Sequence, residues 1–116
     1  MSQDFPQQRK VYLSKALKQS GDTKKRPVVV VSIDIRNQYS STVLVVPFSS
    51  DLTQAANPSR ALIQKGDGGL KADSIAMCDV LTCIKKTYLE PQAYGEVSSA
   101  AFERILTAVQ IAMGIY

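Results

Sequence analysis

The chain has 116 residues, 45% of them apolar, which is enough for one domain with one buried core. Fourteen basic and ten acidic residues leave a net charge of +4, and histidine is absent. That composition excludes an imidazole base and any zinc site built on histidine. No apolar run approaches the roughly 20 residues of a membrane span, and the opening "MSQDFPQQRK" lacks the basic-then-apolar layout of a signal peptide. The expectation is a soluble, cytoplasmic protein. Any catalysis has to run on Arg, Lys, Asp, Glu, Ser, Thr, Tyr or Cys.

The predicted elements follow in chain order. Residues 1–8 are a polar lead-in. "VYLSKAL" (11–17) reads as a first strand and "KQSGDTKK" (18–25) as a loop around Gly21-Asp22. "PVVVVSIDI" (27–35) is continuous and β-branched, the pattern of a buried strand. "RNQYSS" (36–41) reads as a polar turn into a second buried strand, "TVLVVPF" (42–48), in which Pro47 fits only near an end or edge. "SSDLTQAANPSR" (49–60) is loop with one helical turn that Ser50 or Asp51 can cap. "ALIQ" (61–64) is a short strand, "KGDGGLKADS" (65–74) a glycine-rich turn, and "SIAMCDVLTCI" (74–84) a longer strand. Cys78 and Cys83, five residues apart on that strand, point to opposite faces, so no disulfide is expected between them. "VSSAAFERILTAVQIAMGIY" (97–116) is the one long helix. Ser98 or Ser99 caps it, Phe102, Ile105, Leu106, Val109 and Met113 form its apolar face, and Gly114 ends it. Ile111 and Ile115 lie off that face. The layout is α+β: a small curved antiparallel sheet with a helix packed on it.

Charge is concentrated at the start. Residues 1–26 hold seven basic residues against two acidic, and the remainder holds seven against eight. An anionic partner near the first segments, such as nucleic acid or an acidic protein tail, would suit that asymmetry. The run "KKRPVVVV" (24–31) drives three cations straight into a strand. Lys24 and Lys25 read either as a solvated loop or as contacts for a polyanion backbone, and Arg26 as a guanidinium held in place by the strand that begins beside it.

Four segments in order resemble the MazF/PemK family of toxins, the mRNA interferases of bacterial toxin–antitoxin pairs. They are "RPVVVVSIDIRNQYSSTVLVVPFS" (26–49), "NPSRALI" (57–63), "GGLKADSIAMCD" (68–79) and the terminal helix. The resemblance implies a small SH3-like antiparallel β-barrel of the CcdB/MazF/PemK kind, with a short helix and a long C-terminal helix, forming a homodimer. It implies a metal-independent endoribonuclease. In that chemistry the ribose 2′-hydroxyl attacks the adjacent phosphorus and leaves 2′,3′-cyclic phosphate and 5′-hydroxyl ends. The family's essential arginine maps to Arg26, its threonine to Ser49, and the aspartate of PemK-like members to Asp79. Lys24, Lys25, Arg9, Lys10, Asn57 and Ser59 are the expected RNA contacts. The implied partners are single-stranded RNA and an antitoxin whose acidic, disordered tail covers the basic groove.

The three mapped residues make chemical sense together. A guanidinium offers fixed paired donors to phosphate oxygens, a hydroxyl can donate to another, and a carboxylate can take the 2′-hydroxyl proton. The chain also departs from the family pattern. Arg9-Lys10 stand where a glycine and an acid are usual, Met77 stands for an arginine, and Val80 and Thr82 replace a glutamine and an arginine. Base readout is therefore expected to differ from that of better-known members. The other functions compatible with this fold are a non-enzymatic gyrase poison like CcdB and an RNA- or antitoxin-binding module without cleavage.

Overall fold

Side chains alternate across a strand, and the two central strands of this protein are apolar on both sides, so both faces of the sheet must be covered. The computed structural model describes residues 5–15 and 24–115. Its strands are β1 (Lys10–Ser14), β2 (Arg26–Val30), β3 (Thr42–Ser49), β4 (Ala61–Ile63), β5 (Ser74–Ala76), β6 (Thr82–Lys85) and β7 (Gly95–Glu96). Two helices, α1 (Asp34–Tyr39) and α2 (Ser99–Met113), complete the order. The sheet runs β4-β5-β3-β2-β1-β7, with β6 also on β3, and every pairing is antiparallel. Val29, Val46 and Phe48 face α2 together with Ile63, Ala76, Phe102 and Ile105. Val28, Val30, Val43 and Val45 face the other way, into a cluster with Tyr12, Ile84 and Leu89. Each such fully buried side chain contributes roughly 1.5–3 kcal/mol, and the curl of the sheet around the second cluster makes the expected barrel.

Pro47 lies in the middle of β3, and the structure shows how that is tolerated. Val31 donates to the Leu44 carbonyl, so even-numbered residues of β3 turn their backbone groups toward β2. Pro47 therefore faces the other edge, where its carbonyl accepts from Met77 N at 2.9 Å and no N–H is available to give back. The facing chain loops out at this point. Five residues (77–81) pass opposite two (46 and 47) between the β5 and β6 pairings, and Cys78–Val80 form a 3-10 turn. The expected single strand over 74–84 is thus two strands with a bulge between them.

The expected polar turn at 36–41 is also different. Residues 34–39 wind into α1, and Ile33 and Ile35, which continued the strand-like pattern, are 55% and 66% exposed. The cause is polar and local. Asn37 is fully buried, donates Nδ2 to the Ser32 carbonyl at 2.9 Å and accepts from Ser32 Oγ. Ser32 Oγ in turn accepts from Leu44 N at 3.0 Å. Arg36 closes the far end on the Thr42 carbonyl and hydroxyl. Replacing Asn37 by alanine leaves the Ser32 groups short of partners, and the expected loss is about 1–3 kcal/mol, measured as a lower urea midpoint with an unchanged slope.

Helix α2 starts where expected: Ser98 accepts from Ala101 N, and Gly114 ends it in a left-handed conformation. Its buried face is Ala101, Phe102, Ile105 and Ala108, one step round from the expected stripe, so Leu106 is part-exposed and Met113 is 62% exposed. Two of the four core-facing positions are small alanines, a preference that hydrophobicity alone does not encode. The glycine-rich turn anchors this helix. Asp67 accepts from Ser98 N at 2.7 Å and from Ser98 Oγ at 2.9 Å, while Gly68 and Gly69 pack backbone to backbone on Tyr94 and Gly95.

Candidate functional site

Arg26 opens β2 and pairs across to Ser14 of β1. On its other side, the β2–β3 pairing ends at Val28–Pro47, two residues short of Arg26 and Ser49, and Ser49 pairs with Ile75 of β5. Alternation puts both side chains on the face of Val28 and Val45, at the mouth of the second core. Both residues are half-buried. Ser49 Oγ accepts from Asp51 N at 3.1 Å, which engages a lone pair and leaves its O–H proton directed elsewhere. The same turn is capped by Asp51, whose carboxyl is held below its usual range by the backbone N–H and side chain of Thr53.

Asp79 sits in the bulge, farther along β3. Arg60, just before β4, holds it through both oxygens: Nε to Oδ1 at 3.0 Å and Nη2 to Oδ2 at 3.3 Å. A two-pronged pair of this kind fixes the carboxylate plane as well as its charge. The register of β4 on β5, continued by one residue, sets Arg60 beside Met77 at the start of the bulge. Sequence reasoning missed Arg60. Its signal was the lone arginine next to Ser59 in "NPSRALI", where attention went to Asn57 and Ser59. Those two residues build the turn: Asn57 Oδ1 accepts from Ser59 N at 2.9 Å and from Ser59 Oγ at 2.8 Å.

The basic residues separate into two places. Lys24 and Lys25 stand beside Arg26, Lys24 exposed and Lys25 paired to Glu90 at 2.7 Å. Arg9 and Lys10 lie at the opposite end of β1. There Arg9 donates Nε and Nη2 to the Val97 carbonyl, and Lys10 is in register with Glu96. Arg9 has φ 76°, the one positive value for a non-glycine among the described residues, at the position where the resemblance expects glycine. Most of the expected loop 18–25 lies outside the described residues. An open groove of about 920 Å³ runs between β4 and α2, past Arg60, Leu62, Arg104 and Ile111. It shares Arg60 with the candidate site and does not reach Arg26 or Ser49.

Cys78, next to Asp79, is buried and Cys83 is exposed. Burial pushes the Cys78 thiol up to about 12, with Asp79 adding to the rise and Arg60 opposing it. A disulfide-exchange reagent at pH 8 is therefore expected to titrate one thiol in the native protein and two in denaturant.

A family model for PemK-like, MazF-like toxins of type II toxin–antitoxin systems matches residues 7–113. The chain belongs to this family. Among curated proteins, this PemK/MazF-like chain is 26% identical over 91 residues to an Endoribonuclease MazF of Staphylococcus saprophyticus, an overlap of 78% of this chain and 75% of that one. Its fold matches a mycobacterial endoribonuclease solved in complex with its cognate antitoxin, with a TM-score of 0.79 at 23% identity, covering 96% of this chain and 97% of the other. A MazE–MazF structure from Deinococcus radiodurans superimposes with a TM-score of 0.76 at 12% identity, covering 97% and 99%. The curled antiparallel sheet with a long C-terminal helix is thus the fold of the MazF toxins. No helix among the described residues is long and apolar enough to cross a membrane.

Proposed function

We propose that this toxin is a metal-independent endoribonuclease acting on single-stranded mRNA inside the cell. What supports the reading is that Arg26 opens β2 and Ser49 closes β3, both half-buried, on strands that pair with each other. Membership of a toxin family whose Staphylococcus relative is an endoribonuclease supports it. Arg26 grips the non-bridging oxygens of the scissile phosphate through two guanidinium donors. Ser49 donates its hydroxyl to the same group. The ribose 2′-oxygen attacks phosphorus, its proton passes to the Asp79 carboxylate, and the 5′-oxygen leaves and takes up a proton from water. The products are a 2′,3′-cyclic phosphate and a 5′-hydroxyl. Arg60 orients the Asp79 carboxylate through two hydrogen bonds, and a proton acceptor has to be held in place.

We further infer an antitoxin partner whose acidic segment covers the cations around Arg26. The mycobacterial and Deinococcus structures hold such toxins with their antitoxins. A homodimer would cover the exposed Ile33, Ile35 and Tyr39 of the α1 segment.

The test is cleavage of end-labelled RNA in EDTA with identification of the ends. Cyclic phosphate termini are expected from the parent, with roughly 10²-fold slower cleavage from Asp79→Asn and a smaller loss from Arg60→Ala. Parent-level cleavage by Asp79→Asn would reduce the Arg60–Asp79 pair to a latch between β4 and the bulge. No cleavage by the parent, with RNA still bound, would leave a binding module.

A further inference from the structure

The end of β1 carries a second cluster of charge whose parts come from three separate stretches of sequence. Ser14 pairs with Arg26, and one more residue of the same register sets Lys15 across from Lys25. The segment 88–90 runs along the other edge of β1. Lys15 N donates to the Tyr88 carbonyl at 3.1 Å, Ser14 bridges Leu89, and Glu90 N donates to the Leu13 carbonyl at 2.9 Å. Leu89 is buried in the second core, so Tyr88 and Glu90 on either side of it are fixed at the rim. Two ammonium groups directly opposite on a sheet repel each other. Here each has a different counterpart: Lys25 Nζ bonds Glu90 Oε2 at 2.7 Å, and Lys15 Nζ stands 5.5 Å from the centre of the Tyr88 ring. A ring face is a weaker partner for a cation than an anion is. The cluster thus holds two cations and one carboxylate, with the carboxylate on one of the two.

We propose that Lys15 and Lys25 form a phosphate-binding subsite for the RNA strand flanking the Arg26–Ser49 pair, and that Glu90 occupies it as an internal competitor. The proposal rests on the ribonuclease reading. A phosphodiester offers two anionic oxygens and can bridge both lysines at once, which Glu90, tied to its own backbone, does not do. The row Arg26–Ser14–Leu89 spans about 10 Å of sheet at the usual strand spacing. Alternation turns Lys15 and Lys25 to the opposite face from Arg26, so the strand passes over the rim between the two points. Glu90 keeps the empty subsite neutralised and raises the threshold for weak polyanions. Tyr88 acts as a positioning residue for Lys15.

The test uses a fluorescent 2′-O-methyl RNA strand, which binds but has no attacking hydroxyl, so that affinity is read apart from cleavage. Glu90→Gln is expected to bind about fivefold more tightly at low salt, the upper end for release of one exposed ion pair, and to lose that advantage when combined with Lys25→Ala. Lys15→Ala and Lys25→Ala should each weaken binding more than Lys65→Ala, an equal loss of charge elsewhere. Each should also lower the slope of log affinity against log salt by about 0.7. Unchanged affinity and slope in Glu90→Gln, or Lys15→Ala equal to Lys65→Ala, overturns the subsite while RNA binding by the parent stands. No binding by the parent overturns the ribonuclease reading and the subsite with it.

Discussion

Replacing Arg26 by alanine will slow RNA cleavage about 10²–10³-fold, the usual cost of removing one preorganised donor to a developing oxyanion, and will leave the fold intact. The structural argument is that β2 is registered on β1 and β3 through backbone groups and buried valines, none of which involves the guanidinium. The chemical argument is that the transferred phosphorus gathers charge on two oxygens, which a planar fork meets with two fixed donors. Arg26→Lys separates charge from geometry. It keeps a cation at the same place but presents a point charge without the fork, so it should recover only a small part of the loss. The measurement is the single-turnover rate on end-labelled RNA in EDTA, alongside the thermal midpoint. A loss below tenfold, or full activity in Arg26→Lys, would remove Arg26 from the chemistry.

The largest stability loss is expected far from that site, at Gly69. Its φ is +75°, and a Cβ added there would lie 2.3 Å from the Tyr94 carbonyl oxygen and 2.7 Å from its carbon. Both atoms are backbone, so no side chain can swing away. Gly69→Ala therefore combines a left-handed alanine, about 1–2 kcal/mol, with overpacking of about 1–3 kcal/mol. The opposing segment must move, and with it β7 and the start of α2. Gly66→Ala is the control: φ is +94° and nothing lies within 4 Å of the added carbon. Only the conformational part should appear there. Urea midpoints of the two variants measure the difference, and equal losses would mean that the Tyr94 contact yields without cost.

Much of this architecture was legible in the sequence because it rests on local rules. Four valines after Arg26-Pro27, the Ser98 cap and Gly114 each specify their element through β-branching, a cap hydroxyl and a left-handed terminator. Where the reading went astray, a long-range polar contact decided. Ser32-Ile33-Asp34-Ile35 alternates like a strand, yet the buried Asn37–Ser32–Leu44 network winds the chain into α1. The site was legible in part for the same reason. Arg26 and Ser49 lie at the ends of recognisable strands, so alternation alone assigns them to one face of the sheet. Arg60, Lys15 and Glu90 come from segments whose proximity no local pattern announces.

The bulge opposite Pro47 has a consequence for how such a toxin can vary. Between the β5 and β6 pairings on β3, Cys78 is buried and Asp79 is held by Arg60, which leaves Met77, Val80 and Leu81 as the variable positions of the bulge. Met77 and Val80, two of the positions at which this chain departs from its relatives, fall inside it, and Thr82 adjoins it. Substitutions at those positions are expected to leave the strands that carry Arg26 and Ser49 in place. A library randomised at 77, 80 and 81 should yield folded proteins at high frequency, with altered RNA preference among them.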